Sequence, residues 1–194
     1  MKPKTKKRRQ QSKSKTYSAK DYKSSDGFLT AVWGPMMWSY LHTMSFNYPT
    51  EPTNENKIHY RSFVLNLKNV LPCKFCRLNL TKNFKVLPLT MAEMKNRETF
   101  SRYVYKLHEL VNKMLNKSSG LSYEDVRDRY ENFRSRCTLD KSATQPKEEV
   151  VKEVKEKGCT VPLYGKKSKC VIKIVPQEEN QETFQMDKKC IKHK

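Results

Sequence analysis

One segment of the chain repeats its apolar residues with the period of an α-helix and without a break. It follows Asn96, a residue type that favours helix N-termini, and it ends near Met114. Its apolar residues are spaced three or four apart: Phe100, Tyr103, Val104, Leu107, Val111 and Met114. Side chains at this spacing cover one face of a helix, and an apolar face of this length is stable only when buried. The segment therefore predicts a long helix that packs against other elements of a core.

Other segments have the same helical period and recognisable ends. Prolines mark several of the ends, because proline cannot continue a helix, and polar capping residues mark several of the starts. The predicted bounds are Val32 to about Asn47, Thr53 to Pro72, Cys73 to Pro88, Asn96 to Met114, and a short last helix after the capping-box-like Ser122-x-x-Asp125. We therefore predict an all-α core of four long helices and a short fifth helix.

Charge is distributed unevenly along the chain. The net charge is +20, and ten of the 40 Lys and Arg residues lie within the first 23 positions, opposed only by Asp21. Such an arm is either a solvated tail or a contact for nucleic acid, an acidic partner or a targeting receptor. No stretch reaches the roughly 18 apolar residues of a membrane span, and the N-terminus lacks a secretory signal. We therefore expect a soluble intracellular protein that has no membrane contact and meets nucleic acid only through this arm.

Composition also predicts the domain organisation. We expect a disordered basic arm at residues 1–25, a helical domain at 26–140, a linker rich in Lys, Glu, Thr and Gln at 141–157, and a cysteine-containing C-terminal extension at 158–194. In the extension, the run from Cys170 to Val175 predicts one strand. The spacing of Cys159 and Cys170 favours a structural disulfide in a segment too poor in apolar residues to hold itself. Cys190 lies among lysines near the chain end, so it is a candidate shuttle thiol.

Two of the six cysteines form a Cys-x-x-Cys motif, Cys73-Lys74-Phe75-Cys76, directly after Pro72. This spacing closes a disulfide across one helical turn, with the first sulfur at a helix N-terminus, where free amide groups and the helix dipole stabilise a thiolate. Half of a zinc site is an alternative, and a thioredoxin-like site is another. No second Cys-x-x-Cys follows, however, and the residues before Cys73 have helical rather than strand periodicity. We therefore favour a redox-active pair.

Two pairs of polar and aromatic residues lie four positions apart on predicted helices. Trp38 and His42 share one face of the first long helix, and His108 and Asn112 share a face of the helix after Asn96. Residues at this spacing cover the same surface, so an indole and an imidazole can line one flat pocket. Considered alone, the first pair is better explained as ordinary core residues and the second as a solvated helix edge.

Taken together, these motifs resemble the Erv/Alr family of flavin-linked sulfhydryl oxidases, including members from large DNA viruses. The matching blocks are Trp33-Gly34 with Trp38, Leu41-His42-Thr43, Asn47-Tyr48-Pro49, Pro72-Cys73-x-x-Cys76, Leu107-His108-x-x-Val111-Asn112-x-x-Leu115-x-Lys117, and Val126-x-x-Arg129-Tyr130. The sequence departs from the family pattern at Leu71, usually Tyr, at Glu109, usually Asn, and at Asn116, where the family has the Gly of Leu-Gly-Lys. The family's usual second cysteine pair is also missing.

The resemblance implies a four-helix bundle with a short fifth helix that binds FAD, usually as a homodimer. It implies a thiol oxidase that forms disulfides in thiol-containing substrate proteins, with molecular oxygen as acceptor and hydrogen peroxide as product. Cys73 and Cys76 would be catalytic, with Cys76 nearer the flavin. The residues implied to hold FAD are Trp33, Trp38, His42, His108, Val111, Asn112, Leu115, Lys117, Arg129 and Tyr130. A viral member would act in host cytoplasm and virion.

A different class of protein remains an alternative at this point. A basic zinc-containing nucleic-acid adaptor could use Cys73, Cys76 and two of the remaining candidate ligands, with the N-terminal arm on phosphates. Those ligands are Cys137, Cys159, Cys170 and His193. Cys137 is otherwise a disulfide candidate, as are Cys159 and Cys170.

Overall fold

The fold is all-α in the part of the chain that the structure describes. The structure, a computed structural model, describes residues 18–135, 159–179, 181 and 184–191. The helices are α1 (Ala19–Lys23), α2 (Thr30–Phe46), α3 (Asn54–Val70), α4 (Lys74–Val86), α5 (Arg97–Met114) and α6 (Tyr123–Glu131), followed by a short 3-10 turn at Lys188–Cys190. The four long helices α2 to α5 form a bundle, and the short α6 packs across α2 and α5.

Capping side chains explain where three of these helices begin. Thr53, Asn96 and Ser122 each accept a hydrogen bond from the backbone amide three residues later, while that residue's side chain bonds back to the cap. This reciprocal capping box satisfies two backbone donors that a helix N-terminus otherwise leaves free. All three were predicted as caps, and the predicted helices match the observed ones within a few residues.

The core lies where α5 meets α2 and the α3–α4 pair. The predicted apolar face of α5 is buried from Phe100 to Leu107, but Met114 at its end is exposed. Tyr48 is fully buried between the helices, and its hydroxyl donates a hydrogen bond to the Met94 carbonyl at 3.0 Å. Tyr48 also makes edge contacts with the rings of Tyr60 and Phe100. The aromatic packing thus holds the loop after α2 against the start of α5.

The ends of the chain contain one short helix, and the strand expected in the C-terminal extension is wrong. A one-turn helix, α1, lies inside the arm predicted to be disordered, although none of its residues is buried. Its own Ser18–Asp21 capping box stabilises it locally. The stretch from Cys170 to Val175 forms no strand with any described residue and is mostly exposed. Apolar and β-branched composition favours a strand only where a neighbouring strand supplies hydrogen bonds.

The predicted pairing of Cys159 with Cys170 is also wrong. Cys170 is an exposed free thiol, and Cys159 is disulfide-bonded to a different partner. Cys190 is a half-buried free thiol in the 3-10 turn. Cys137 and His193 lie outside the described residues. Spacing within the extension therefore did not determine which cysteines pair.

The departure from the family pattern at Asn116 has a backbone explanation. Asn116 has φ of 53°, the left-handed region, and it is the only non-glycine residue there in the described ranges. It directly follows the last turn of α5, and the next amide, that of Lys117, donates to the Asn112 carbonyl at 2.9 Å. Such a turn ends many helices and is usually made by Gly or Asn, which adopt this conformation at low cost. Asn116 therefore keeps the turn that the family's glycine makes and places Lys117 after α5.

We expect the left-handed turn to determine which substitutions position 116 accepts. Asn116→Gly should change the free energy of unfolding by less than about 1 kcal/mol, because relief of strain and greater unfolded-state freedom offset each other. Asn116→Val should lower it by about 1–2 kcal/mol, since a β-branched residue fits this conformation poorly. Urea denaturation measures both. The matched control is Asn69→Val at an exposed position of α3, which should lower the free energy of unfolding by less. Equal decreases at positions 69 and 116 would show that the left-handed backbone of Asn116 does not limit this substitution.

Candidate active site

The Cys-x-x-Cys motif lies at the start of α4, as predicted. Cys73 is the N-cap residue, and its sulfur accepts a hydrogen bond from the Cys76 amide at 3.2 Å. Both cysteines are partly exposed free thiols in this structure. Arg77 donates from its guanidinium to the Leu71 carbonyl at 2.6 Å, which ties the first turn of α4 to the end of α3. The dithiol therefore sits on a fixed junction between two helices.

A backbone segment before α2 holds Cys73 from the other side. The Phe28 amide donates to the Pro72 carbonyl at 2.8 Å, and the Lys74 amide donates to the Asp26 carbonyl at 3.3 Å. Between them Gly27 pairs with Cys73 at φ of 104°, and a Cβ atom there would lie 2.3 Å from the Pro72 oxygen. Only glycine fits both this conformation and this approach. The domain start predicted from the sequence, residue 26, lies next to this glycine, but no pattern in the sequence indicated that Gly27 contacts Cys73.

The two thiols of the motif differ in their surroundings. Burial raises the pKa of the Cys76 thiol to about 12, and the hydrogen bond and charge of the Cys73 side chain add to this effect, while Arg77 opposes it. The backbone amide of Cys76 also opposes it. Cys76 therefore holds its proton at neutral pH while Cys73 is paired with it as a dithiol.

An apolar cavity of about 370 Å³ lies next to the motif. Its lining is Phe28, Leu29, Val32, Trp33 and Pro72. The Trp33 indole donates a hydrogen bond to the Phe28 carbonyl at 3.1 Å. This bond ties the start of α2 to the segment that holds Cys73. Trp33 was implied as a flavin contact; the structure places it at this cavity, and none of the ring contacts among described residues includes it.

A second group of predicted residues lies around the later turns of α2. The Trp38 indole stacks on the His108 ring with centroids 4.0 Å apart, and His42 Nε2 lies 3.0 Å from His108 Nδ1. The Tyr130 ring stacks on His42 at 5.2 Å. These side chains come from α2, α5 and α6, so only the folded bundle brings them together. We call Trp38, His42, His108 and Tyr130 the aromatic cluster.

Both histidines of the aromatic cluster are neutral. Burial lowers the pKa of His42 to about 3, and the charge that His108 can acquire contributes to the shift. Burial likewise lowers the pKa of His108 to about 4, against an opposing effect of Glu109. His42 is 3% exposed, and its Nδ1 has no hydrogen-bond partner among the described residues. A buried nitrogen without a partner costs free energy, so this one marks a place where a polar ligand group would bind.

The remaining predicted residues line the end of α5 and the outer side of α6. The Asn112 amide donates to the Glu109 carboxylate at 2.9 Å, so the unusual Glu109 orients a predicted site residue. Val111 is half-buried, and Leu115 is the exposed C-cap residue of α5. Lys117 is exposed beyond the left-handed turn. Arg129 forms no ion pair with any residue that the structure describes.

Sequence analysis missed one residue near this cluster. Phe184, in the C-terminal extension, lies with its ring 4.9 Å from the Arg129 guanidinium and 6.3 Å from the Tyr130 ring. It is a lone aromatic residue in a polar stretch, so no periodic pattern could have indicated its position.

Metal binding and membrane insertion find no support in the described ranges. No cluster of three or more His, Cys, Asp or Glu side chains with metal-site geometry occurs there, so Cys73 and Cys76 gain no third ligand from those residues. Among the described helices, none combines the length and the apolar character needed to cross a bilayer.

Comparisons with known proteins point to one family. The chain is 34% identical over 80 residues to the protein named "Probable FAD-linked sulfhydryl oxidase R368" of Acanthamoeba polyphaga mimivirus, covering 41% of this chain and 56% of that one. It is 34% identical over 103 residues to an FAD-linked sulfhydryl oxidase of African swine fever virus (isolate Pig/Kenya/KEN-50/1950), covering 51% of this chain and 80% of that one. The chain thus spans little more than half of the mimivirus relative.

One solved structure resembles part of the chain, and the sequence model of one family matches half of it. The crystal structure of the yeast Erv1 core is 24% identical, with a TM-score of 0.48, and the match covers 62% of this chain and 95% of that one. The sequence model of the Erv1 / Alr family matches residues 35–131, which is half of the chain and includes Cys73, Cys76 and the whole aromatic cluster. The protein therefore belongs to the Erv1/Alr family.

Proposed function

We propose that this protein is an FAD-dependent thiol oxidase that forms disulfide bonds in substrate proteins. One observation supports this most directly: a dithiol at the N-terminus of α4 lies in the same bundle as a buried neutral histidine pair with an unsatisfied nitrogen. A dithiol centre and a polar ligand pocket are the two parts that thiol oxidation through a bound cofactor requires. The viral relatives bear the name FAD-linked sulfhydryl oxidase.

The residues present fit FAD chemically. Trp38, His42, His108 and Tyr130 offer flat faces and an unsatisfied ring nitrogen, as a ring system with polar edges requires. Val111, Asn112 and Leu115 would line the end of α5, and Trp33 the side nearest Cys73. Lys117 and Arg129 are cations suited to a pyrophosphate. When bound, FAD supplies the two-electron acceptor for the dithiol and passes the electrons to molecular oxygen, giving hydrogen peroxide.

Thiol exchange at the dithiol is the step that the chain's own residues perform. In the oxidised pair, a substrate thiolate attacks the Cys73 sulfur, which forms a mixed disulfide and releases Cys76 as a thiolate. A second substrate thiolate then attacks the substrate sulfur of the mixed disulfide. This forms the substrate disulfide and releases Cys73, so the two electrons of the substrate now reside on the dithiol. The Cys73–Cys76 pair is left in the reduced form that the structure contains.

The raised pKa of Cys76 does not prevent this step. A thiol with a high pKa is a poor leaving group, but two of the causes that raise the Cys76 pKa are the hydrogen bond and charge of Cys73. In the mixed disulfide Cys73 is bonded to the substrate and carries no charge, so both causes are removed. Arg77 and the backbone amide, which lower the Cys76 pKa, remain. Burial, the largest cause of the raised pKa, also remains, so the Cys76 thiolate is more stable in the mixed disulfide than in the dithiol but is not free of the burial effect.

A homodimer is the assembly we propose. Met36 and Tyr40 lie four apart on α2, and Phe63 and Val70 lie seven apart on α3, all exposed. The rings of Tyr40 and Phe63 are 5.9 Å apart, so exposed apolar side chains of the two helices meet at this point. A second copy of the chain would cover this face, because exposed apolar patches of this kind mark protein interfaces.

The setting of the reaction is a further part of the proposal. Since relatives at 34% identity come from two large DNA viruses, we infer a viral origin, with action in the host cytoplasm and virion. The basic N-terminal arm, residues 1–17 of which lie outside the described part of the chain, remains the one segment suited to nucleic acid. The zinc adaptor is the weaker alternative, because no described residue completes a metal site around the dithiol.

We expect the purified protein to bind FAD and to consume oxygen when given dithiothreitol. Cys73→Ser and Cys76→Ser should each abolish oxygen consumption, because either change removes the disulfide, while bound flavin should stay at the wild-type level. Cys170→Ser is the matched control, since Cys170 is an exposed free thiol elsewhere, and it should stay active. A Cys73→Ser or Cys76→Ser variant with wild-type turnover would exclude this dithiol as the reactive centre.

The neutral histidines should make stability depend on pH. In the unfolded chain His titrates near about 6.5, whereas the folded pKa values are lowered to about 3 and about 4. Below about pH 6.5 the unfolded state therefore binds more protons, and the free energy of unfolding falls as pH falls toward about 4. The slope near pH 5 should approach about 1.4 kcal/mol per pH unit for each imidazole.

Urea denaturation of flavin-free protein between about pH 7.5 and 5 measures this slope, in a range where most carboxylates stay ionised. His108→Asn should make the slope smaller. His59→Asn is the control, because His59 is exposed and bonds only to the Glu55 carboxylate on its own helix. Equal slopes in the wild type and His108→Asn would show that His108 is not buried as a neutral base.

A further inference from the structure

The C-terminal extension, which lies outside the family match, is attached to the helical bundle beside α6. Ser135 pairs with Pro162 as an isolated bridge, and the Leu163 amide donates to the Arg134 carbonyl at 2.7 Å. Arg134 in turn donates from its guanidinium to the Phe46 carbonyl at 2.8 Å. Main-chain contacts thus connect the extension to the segment directly after α6, and the Arg134 side chain connects that segment to the end of α2.

A second contact folds the extension back on itself. Gly165 has φ of 66°, and a Cβ atom there would lie 2.5 Å from the Lys189 carbonyl oxygen. The Lys166 amide donates to the same carbonyl at 3.0 Å. A glycine is required at this approach, because any side chain would displace the turn that contains Cys190. Phe184 lies in sequence between these two points and contacts α6 residues.

Phe184 is the residue of the extension that reaches the predicted flavin residues. Its half-buried ring lies 6.3 Å from the Tyr130 ring and 5.9 Å from the Phe133 ring. The Arg129 guanidinium sits over its face at 4.9 Å from the ring centroid. Tyr130 is also stacked on His42, so ring contacts run without interruption from Phe184 to the buried histidine pair.

Arg129 is available to an anionic ligand. It forms no ion pair with the residues that the structure describes, although its charge contributes to lowering the pKa of the Asp125 carboxyl on α6, and its contact with Phe184 is a cation–π contact that brings no negative charge. Such a contact restricts where the guanidinium can point. A cation held in position at the edge of an aromatic cluster, with no direct carboxylate contact among the described residues, suits an anionic group such as a pyrophosphate.

We propose that Phe184 forms the outer wall of the cofactor site and positions Arg129 for the pyrophosphate of FAD. This proposal rests on the proposed function, since it assigns a residue outside the family match to the same site. The extension is then part of the binding site for the dinucleotide, although it lies outside residues 35–131. Phe184 acts through Arg129 and Tyr130, and it is a positioning residue.

The affinity of the flavin-free full chain for FAD, measured by quenching of flavin fluorescence, tests the proposal. Phe184→Ala should raise the Kd about five- to tenfold, the usual range for loss of a partly buried cation–π and ring contact. Phe184→Trp keeps an aromatic face and should stay near the wild-type Kd. Ile172→Ala is the matched control, since Ile172 is 62% exposed in the same extension, and it should not change the Kd.

A double variant separates positioning from packing. If Phe184 acts through Arg129, Phe184→Ala should weaken binding little further once Arg129→Ala is present. A full additional five- to tenfold loss in the double variant would show that the ring does not act through Arg129 and would overturn that part of the proposal. The melting temperature of flavin-free protein is measured in parallel, because simple loss of packing would lower it without changing the Kd.

The outcomes distinguish this inference from the function on which it rests. Wild-type protein that does not bind FAD would refute the proposed function and this inference together. Wild-type protein that binds FAD, with an unchanged or lower Kd in Phe184→Ala, would refute only the inference. A lower Kd would show that the Phe184 ring blocks the site instead of forming its wall.

Discussion

The site depends on how α2 packs against α5. Leu41 on α2 and Leu107 on α5 are both buried in the core, and the residues beside them in sequence, His42 and His108, are thereby brought to 3.0 Å from each other. The apolar burial stabilises the helix pair, and the imidazole contact is a consequence of it. Burying two charged imidazoles would cost much free energy, so both stay neutral. Burial lowers the pKa values of His42 and His108 for this reason. The two imidazoles are buried together because the apolar contact between α2 and α5 brings them there.

The dithiol depends on a separate constraint, the junction between α3 and α4. Pro72 ends one helix and Cys73 caps the next, so the turn between the two helices fixes the position of the sulfur. Gly27, in the segment before α2, packs against this turn at a distance that no other residue type permits. The segment before the N-terminus of α2 therefore holds the dithiol in place, and the later turns of α2 contribute two residues of the aromatic cluster.

Features that depend on interactions within a single helix could be predicted from the sequence. The caps at Thr53, Asn96 and Ser122, the apolar face of α5 and the four-residue spacing of Trp38 and His42 all follow from the geometry of a single helix, and the structure contains each of them. Asn116 could be recognised as unusual only through the family pattern, and its left-handed backbone explains why Asn suffices. The Cys170–Val175 strand was wrong because a strand needs a partner elsewhere in the chain. The contacts of Gly27 and Phe184 join distant segments, so no spacing in the sequence indicates them.

Electron transfer from the dithiol to the bound flavin is the central claim, and anaerobic titration with dithiothreitol tests it most directly. In wild-type protein the visible absorbance of the bound, oxidised flavin should be lost as dithiothreitol is added, because the Cys73–Cys76 pair passes its electrons to the cofactor. In Cys76→Ser the flavin should remain bound and oxidised under the same conditions. Reduction of the flavin in Cys76→Ser at the wild-type rate would contradict the account, since the electrons would then reach the cofactor without this dithiol.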